Sequence, residues 1–269
     1  MNFLELFNKP NLIAAHRGDR SIRPENTLSA LRSSIGKCDF IEIDAQFSKD
    51  GIPVILHDDR LGRTSNIKEI DSFAERFPWR VRDFTLNELQ HLDFGSWFYK
   101  EDPFGCIKAG KVHLSRIESK HESLLTLEKA LLFAKEKRIY INVEIKDMHH
   151  WMSDRDAVKI IANVIKKIRA EPLVLLSSFH HDYLPICKEL LPDIPTAALA
   201  EEKAPKNLIA YLEVLQVDAY HPDEKYINEA TVKKLREADY LVNVYTVNDF
   251  LRQKELFGWG VNGVFTDYL

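Results

Sequence analysis

The chain is poor in cysteine, with three in 269 residues. Cys38, Cys106 and Cys187 are too far apart for a zinc spacing, and an odd, scattered set makes no disulfide framework, so a reducing compartment is expected. No run approaches the roughly 18 consecutive apolar residues of a membrane span, which argues against stable membrane insertion. The opening MNFLELFNKPNLI carries Glu5 and lacks the basic start and apolar run of a secretory leader. Basic excess is missing too: 37 Lys and Arg face 41 Asp and Glu, so the chain has no charge stripe for nucleic acid. Internal repeats and low-complexity tracts are absent. What is present is ordinary globular composition, 45% hydrophobic and 29% charged. These features predict a soluble, cytoplasmic protein, with monomer and homo-oligomer both open. The length suits one large α/β barrel as well as two domains.

Short apolar, β-branched runs alternate with helical patterns. Strands are predicted at 11–15, 40–45, 52–57, 139–145, 173–178, 196–200, 215–219, 241–247 and 263–266. Helices are predicted at 24–35, 126–137, 153–169, 182–190, 205–212, 228–238 and 249–257. Such alternation means βαβ units around a parallel sheet, and eight units close a barrel of about 250 residues. Nine strands are one too many. SKDG, residues 48–51, reads as a hairpin, which makes one of its flanking strands an antiparallel extra. Residues 58–123 break the rhythm, with two short helical pieces and a polar, irregular stretch. They read as an insertion after the third strand of a single domain, 1–269.

Polar residues sit where apolar strands end. LIAAHRGDRSIRPENT, residues 12–27, runs into His16 and Arg17, and PVILHDD, residues 53–59, runs into His57 and Asp58. In FIEIDAQF, residues 40–47, Glu42 and Asp44 share one strand face, as do Glu144 and Lys146 in INVEIKDMHH, residues 141–150. Neighbouring carboxylates on a buried strand need a cation, a proton or an arginine between them. Three of them suit a hard divalent ion such as Mg2+ or Ca2+. A lysine suits a phosphate oxygen, and two histidines suit proton transfer near neutral pH. The plainer alternative is a polar barrel lumen neutralised by salt bridges to Arg17 or Lys146.

The ordered set HRG, PENT, EID, HD followed by LGRT, and NVEIK resembles the glycerophosphodiester phosphodiesterase family. SSF at 177–179, VNVYTVN at 242–248 and GVNGVFTD at 260–267 extend the likeness over nearly the whole chain. The resemblance implies a TIM-type (β/α)8 barrel with a small subdomain inserted after the third strand. It implies metal-dependent hydrolysis of glycerophosphodiesters to glycerol 3-phosphate and an alcohol. It makes Glu42, Asp44 and Glu144 metal ligands, His16 and His57 the acid–base pair, and Arg17 and Lys146 phosphate contacts. Glu25 and Asn26 become orienting groups, and Thr27 a helix cap. His16 is taken as base and His57 as acid; water or the glycerol 2-hydroxyl serves as nucleophile.

The chain departs from the family pattern at Tyr245, where tryptophan is usual, and in LLTLEKA, which lacks a proline. The 101–122 stretch is longer than usual. These changes bear on the substrate side of the pocket, where Tyr245 is expected. Rival readings are a lysophospholipase D-like or sphingomyelinase D-like phosphodiesterase, and a non-catalytic barrel binding a phosphorylated metabolite. Of the remaining histidines, His221 is the best further candidate for a substrate contact. At most one of His149 and His150, and one of His180 and His181, is expected to reach a site. His91, His113 and His121 read as surface residues. The aromatic run at 94–99 reads as a small satellite core before a head-group lid.

Overall fold

Alternation along the strands sorts side chains between two environments. In β2 (Phe40–Phe47), Ile41, Ile43, Ala45 and Phe47 turn outward and join the larger core cluster, under helices carrying Leu131, Val158 and Ile161. Phe40, Glu42, Asp44 and Gln46 occupy the opposite face, from which Phe40 joins a second core cluster and Glu42 lines the cavity. The computed structural model describes residues 2–117 and 119–269.

Among the described residues one sheet has nine strands: β1 (Leu12–Ala15), β2, β3 (Pro53–Ile55), β4 (Tyr140–Ile145), β5 (Val174–Ser178), β6 (Thr196–Ala200), β7 (Ala219–Pro222), β8 (Leu241–Val244) and β9 (Gly263–Thr266). The order β1-β9-β8-β7-β6-β5-β4-β2 closes through the parallel pairing of β1 with β2, giving an eight-stranded parallel barrel. β3 is the expected extra strand, antiparallel to the end of β2 through pairs such as Ala45 with Ile55.

Helices wrap the barrel: α1 (Leu28–Ser34), then α2 (Leu86–Leu89) and α3 (Ser96–Glu101) in the irregular segment, then α4 (Leu127–Lys137), α5 (Asp154–Ile168), α6 (Tyr183–Leu190), α7 (Leu208–Leu215), α8 (Glu229–Glu237) and α9 (Phe250–Trp259). Thr27, Thr126, Ser153, Asn228 and Asp249 cap α1, α4, α5, α8 and α9 by accepting a backbone N–H. In α5 the buried Val158, Ile161, Ala162 and Ile165 recur at helical spacing and face the barrel.

The strand expected at 215–219 starts later. Leu208, Leu212 and Leu215 form the buried stripe of α7, which ends with Gln216 in the left-handed region, and β7 begins only at Ala219. Apolar VLQV is the end of a helix and its turn. The helix expected from Pro24 starts at Leu28, because Asn26 takes a φ of 57° in the preceding turn. The last expected strand pair also shortens, with β8 stopping at Val244 and Tyr245 making only an isolated bridge to Asp223.

Between residues 58 and 123 no described residue adds a strand to the barrel. Short 3-10 turns and α2 enclose Leu61, Val81, Phe84 and Leu92, while Phe98, Tyr99, Cys106 and Val112 form a separate cluster. The aromatic run therefore packs as a satellite core. His91, His113 and His121 are exposed. The amino end of the barrel is stopped by a 3-10 helix, Phe3–Asn8. Its Phe3 meets Phe40 and Tyr140 edge-on at centroid distances of 5.5 and 5.2 Å. Among the described residues no helix is long and apolar enough to cross a membrane.

Candidate active site

Parallel pairing sets Asp44 beside Glu144 and Glu42 beside Asn142. The inward faces of β2 and β4 thereby bring one carboxylate oxygen each from Glu42, Asp44 and Glu144 within 4.8 Å of one another. All three are buried. Glu42 Oε2 accepts the Arg17 backbone N–H at 2.8 Å, while its Oε1 is buried with no hydrogen-bond partner. Asp44 accepts from Asn26 Nδ2 at 2.7 Å and from Lys146 Nζ at 2.7 Å, and Lys146 also pairs with Glu144.

The charges divide unequally. Burial, aided by the charges of Asp44 and Glu144, pushes the Glu42 carboxyl well up. Burial raises Glu144 as well, despite Lys146. Burial opposes ionisation of Asp44 too, but Lys146 and Arg17 outweigh it and hold that carboxyl far below its usual range. An all-oxygen set with an orphaned buried oxygen fits a hard divalent cation.

His16 and His57 share one arrangement. His16 Nδ1 lies 2.8 Å from Asp267 Oδ1, and His57 Nδ1 lies 2.8 Å from Asp58 Oδ1. An ionised carboxylate only accepts, so each Nδ1 carries the hydrogen and each Nε2 is left for chemistry. Asp267 is held by Asn248 Nδ2 at 2.8 Å and Arg20 at 3.2 Å; Asp58 is forked by Arg63 at 2.7 and 2.9 Å. In both acids burial works against the charge, and the histidine with its arginine neighbour overcomes it and keeps the carboxyl low. Burial depresses the His16 imidazole to about 4. Gln46 Nε2 donates to the carbonyls of Leu56, His57 and Asp58, fixing the backbone that carries His57.

Glu25 links the two sides. Its buried carboxylate accepts from Arg17 at 3.0 Å, Arg20 at 2.7 Å and Arg63 at 2.7 Å. Burial alone would raise it, yet the Arg63 hydrogen bonds and the neighbouring guanidinium charges bring it to about 2.

His16, Arg17, Glu42, His57 and Glu144 line one cavity of about 210 Å3. Its far wall is largely apolar, with Phe179, Leu199, Tyr245 and Phe265. The Tyr245 hydroxyl donates to the Ala200 carbonyl at 2.8 Å, so the ring is pinned against the wall. His221 departs from expectation: it is fully buried and bonded to Asn243 at 2.9 Å, and it is not part of the cavity wall. β7 starts late enough that His221 is an inward strand residue below the rim. None of His149, His150, His180 and His181 lines the cavity either. Arg20, Arg63, Asn248, Gln46 and Asp267 were not singled out from sequence. Arg63, Asn248 and Asp267 stand inside the family-like segments LGRT, VNVYTVN and GVNGVFTD, whereas Arg20 in LIAAHRGDRSIRPENT and Gln46 in FIEIDAQF carry no signal that separates them from ordinary polar neighbours.

A closed parallel barrel with a polar cavity at the carboxyl ends of its strands belongs to the class of (β/α)8-barrel enzymes. Residues 16–269 match the model of the Glycerophosphoryl diester phosphodiesterase family, and the chain belongs to that family, whose members hydrolyse glycerophosphodiesters. It is 32% identical over 263 residues to a glycerophosphodiester phosphodiesterase of Bacillus subtilis, covering 96% of this chain and 83% of that protein. A glycerophosphodiester phosphodiesterase of Bacillus altitudinis is 30% identical, with 95% of this chain and 94% of that protein covered. An Oleispira antarctica phosphodiesterase, solved in complex with the product sn-glycerol-3-phosphate, superposes with a TM-score of 0.79 at 28% identity, covering 98% and 95% of the two chains.

Proposed function

We propose that the protein hydrolyses glycerophosphodiesters to glycerol 3-phosphate and an alcohol, using His16 and His57 for proton transfer beside a divalent cation held by Glu42, Asp44 and Glu144. The observation that carries this reading is the convergence on one cavity of two carboxylate-oriented imidazoles with Glu42 and Glu144, whose carboxylates cluster with that of the buried Asp44. The names of the two Bacillus relatives and the product held by the Oleispira enzyme agree with it.

Glu42, Asp44 and Glu144 would hold Mg2+ or Ca2+, which would supply positive charge to offset that of the phosphodiester. The chain's own residues do the rest. Arg17 on the cavity wall is a fixed cation for a nonbridging oxygen, and Lys146 supplies a second charge from the trio's edge. His16 is neutral at pH 7 because burial depresses it, and with Nδ1–H given to Asp267 its Nε2 is free to accept the proton of the nucleophile. His57, steadied by Asp58, gives its Nε2 proton to the alcohol oxygen as the phosphorus–oxygen bond to that alcohol breaks. Asn26 fixes Asp44 and Glu25 fixes the three arginines, so both act as positioning residues. The pinned Tyr245 ring forms part of the substrate wall.

The same reading takes residues 1–269 as one domain with an insertion at 58–123. The three free cysteines support a cytoplasmic location. Glycerol 3-phosphate release from glycerophosphocholine, with and without chelator, tests the function. Turnover should vanish in chelator, return with Mg2+ or Ca2+, and be lost together with metal affinity in Glu42→Gln. Turnover of lysophosphatidylcholine alone would move the chain to the lysophospholipase D-like class, and no turnover of any diester would leave only a binding barrel.

A further inference from the structure

We propose that Asp147, His149 and His180 form a second metal site, suited to a zinc-class ion and distinct from the acidic trio. Glu144 of β4 pairs in register with Ser177 of β5. Asp147 and His180 each lie three residues beyond that pair, so the two loops that leave neighbouring strands meet at the same height. His149 Nδ1 lies 2.6 Å from Asp147 Oδ1, and His180 Nδ1 lies 3.8 Å from the same oxygen. The His149 and His180 rings are stacked with centroids 5.2 Å apart. Donors bonded at about 2.0–2.1 Å to one tetrahedral ion stand about 3.3 Å apart, so the two observed separations bracket what such an ion requires.

The donor chemistry differs from that of the trio. Two imidazoles and a carboxylate suit a borderline ion such as zinc, whereas three carboxylates suit a hard one. His180 is also braced as a ligating histidine must be. Its Nε2 meets Asp154 Oδ2 at 3.0 Å, leaving Nδ1 for the metal, and its ring stands edge-on to Tyr183 at 4.5 Å. Tyr183 is fully buried and its hydroxyl accepts the Met148 N–H at 2.8 Å, which ties the His149 loop to the same support. An ion here would clamp together the loops that follow Lys146 and Phe179, two residues beside the trio and the cavity.

Full-length protein stripped with chelator, then saturated with Mg2+ to fill the trio, is titrated with Co2+ as a coloured substitute for zinc. One equivalent should bind with the intense visible absorption of low-coordinate cobalt, and zinc should displace it. His149→Ala and Asp147→Asn alter side chains that are 39% and 44% exposed, so both variants should fold, which circular dichroism checks, and both should lose the band. Asp154→Asn should weaken binding by about 10- to 100-fold. Glu42→Gln should keep the band. Absence of a Co2+ equivalent, a band retained by His149→Ala, or a band lost in Glu42→Gln but not in Asp147→Asn would each overturn the proposal.

Discussion

Lys146→Met keeps most of the side-chain bulk and withdraws one positive charge from the acidic trio. Its ammonium lies 2.7 Å from Asp44, also pairs with Glu144, and the side chain is only 16% exposed. At the 4.8 Å limit separating the trio's oxygens, two carboxylates repel by about 3.5 kcal/mol at an effective dielectric constant of about 20. Removing one partner from a buried ion pair costs about 3–5 kcal/mol. For a chain of this size that is a fall in Tm of roughly 5–10 °C. A divalent cation seated at the trio would restore the missing charge. In chelator at pH 8 the variant should therefore melt that far below the parent, and millimolar Mg2+ or Ca2+ should recover most of the gap. At pH 6 the gap should shrink, because the carboxyls of Glu42 and Glu144, already raised by burial, take up protons in place of the lost cation. Paired melts by circular dichroism measure all three quantities. A variant whose Tm ignores the divalent ion would refute the assignment of Glu42, Asp44 and Glu144 as its seat.

His57→Ala should lower kcat on glycerophosphocholine by about 10²–10⁴-fold, and far less on a nitrophenyl diester, whose leaving group needs no proton. Equal losses on both substrates count against His57 as the acid. His221, pushed down to about 3 by burial, is neutral in the folded protein while its unfolded counterpart takes a proton below about pH 6.5. Its contribution is therefore complete above pH 6.5 and falls away as pH drops towards 3, costing up to about 3 kcal/mol by pH 4.5. Urea unfolding at pH 7 and 4.5 should show a shallower acid loss for His221→Gln, and parallel losses in both proteins would contradict the shift. Phe3→Ala empties the fully buried plug at the barrel's amino end and should cost about 3–5 kcal/mol in the same assay, without changing KM.

Much of the fold is written locally. Strict alternation in FIEIDAQF set Glu42 and Asp44 on one strand face, and SKDG marked the hairpin that removes β3 from the barrel count. Pairing of β2 with β4 then puts Asp44 beside Glu144, a contact across 100 positions that alternation alone does not specify. A still longer separation, 251 positions, hides Asp267 from any local reading of His16, since only closure of β1 against β9 brings them together. Arg20 and Gln46 are illegible for another reason. A polar residue near a strand end looks the same whether it meets solvent, Glu25 or three backbone carbonyls. The 215–219 strand failed because apolar residues at helical spacing and in a short strand run overlap when the segment is brief.

Phe265 belongs both to the cavity wall and to the aromatic stopper beneath it, which Phe3, Phe40 and Tyr140 complete. The chamber is thus a cul-de-sac. Whatever enters must back out through the same doorway. A molecule threaded from top to bottom has no exit, and a diester deep within a long polymer cannot be drawn down to the imidazoles.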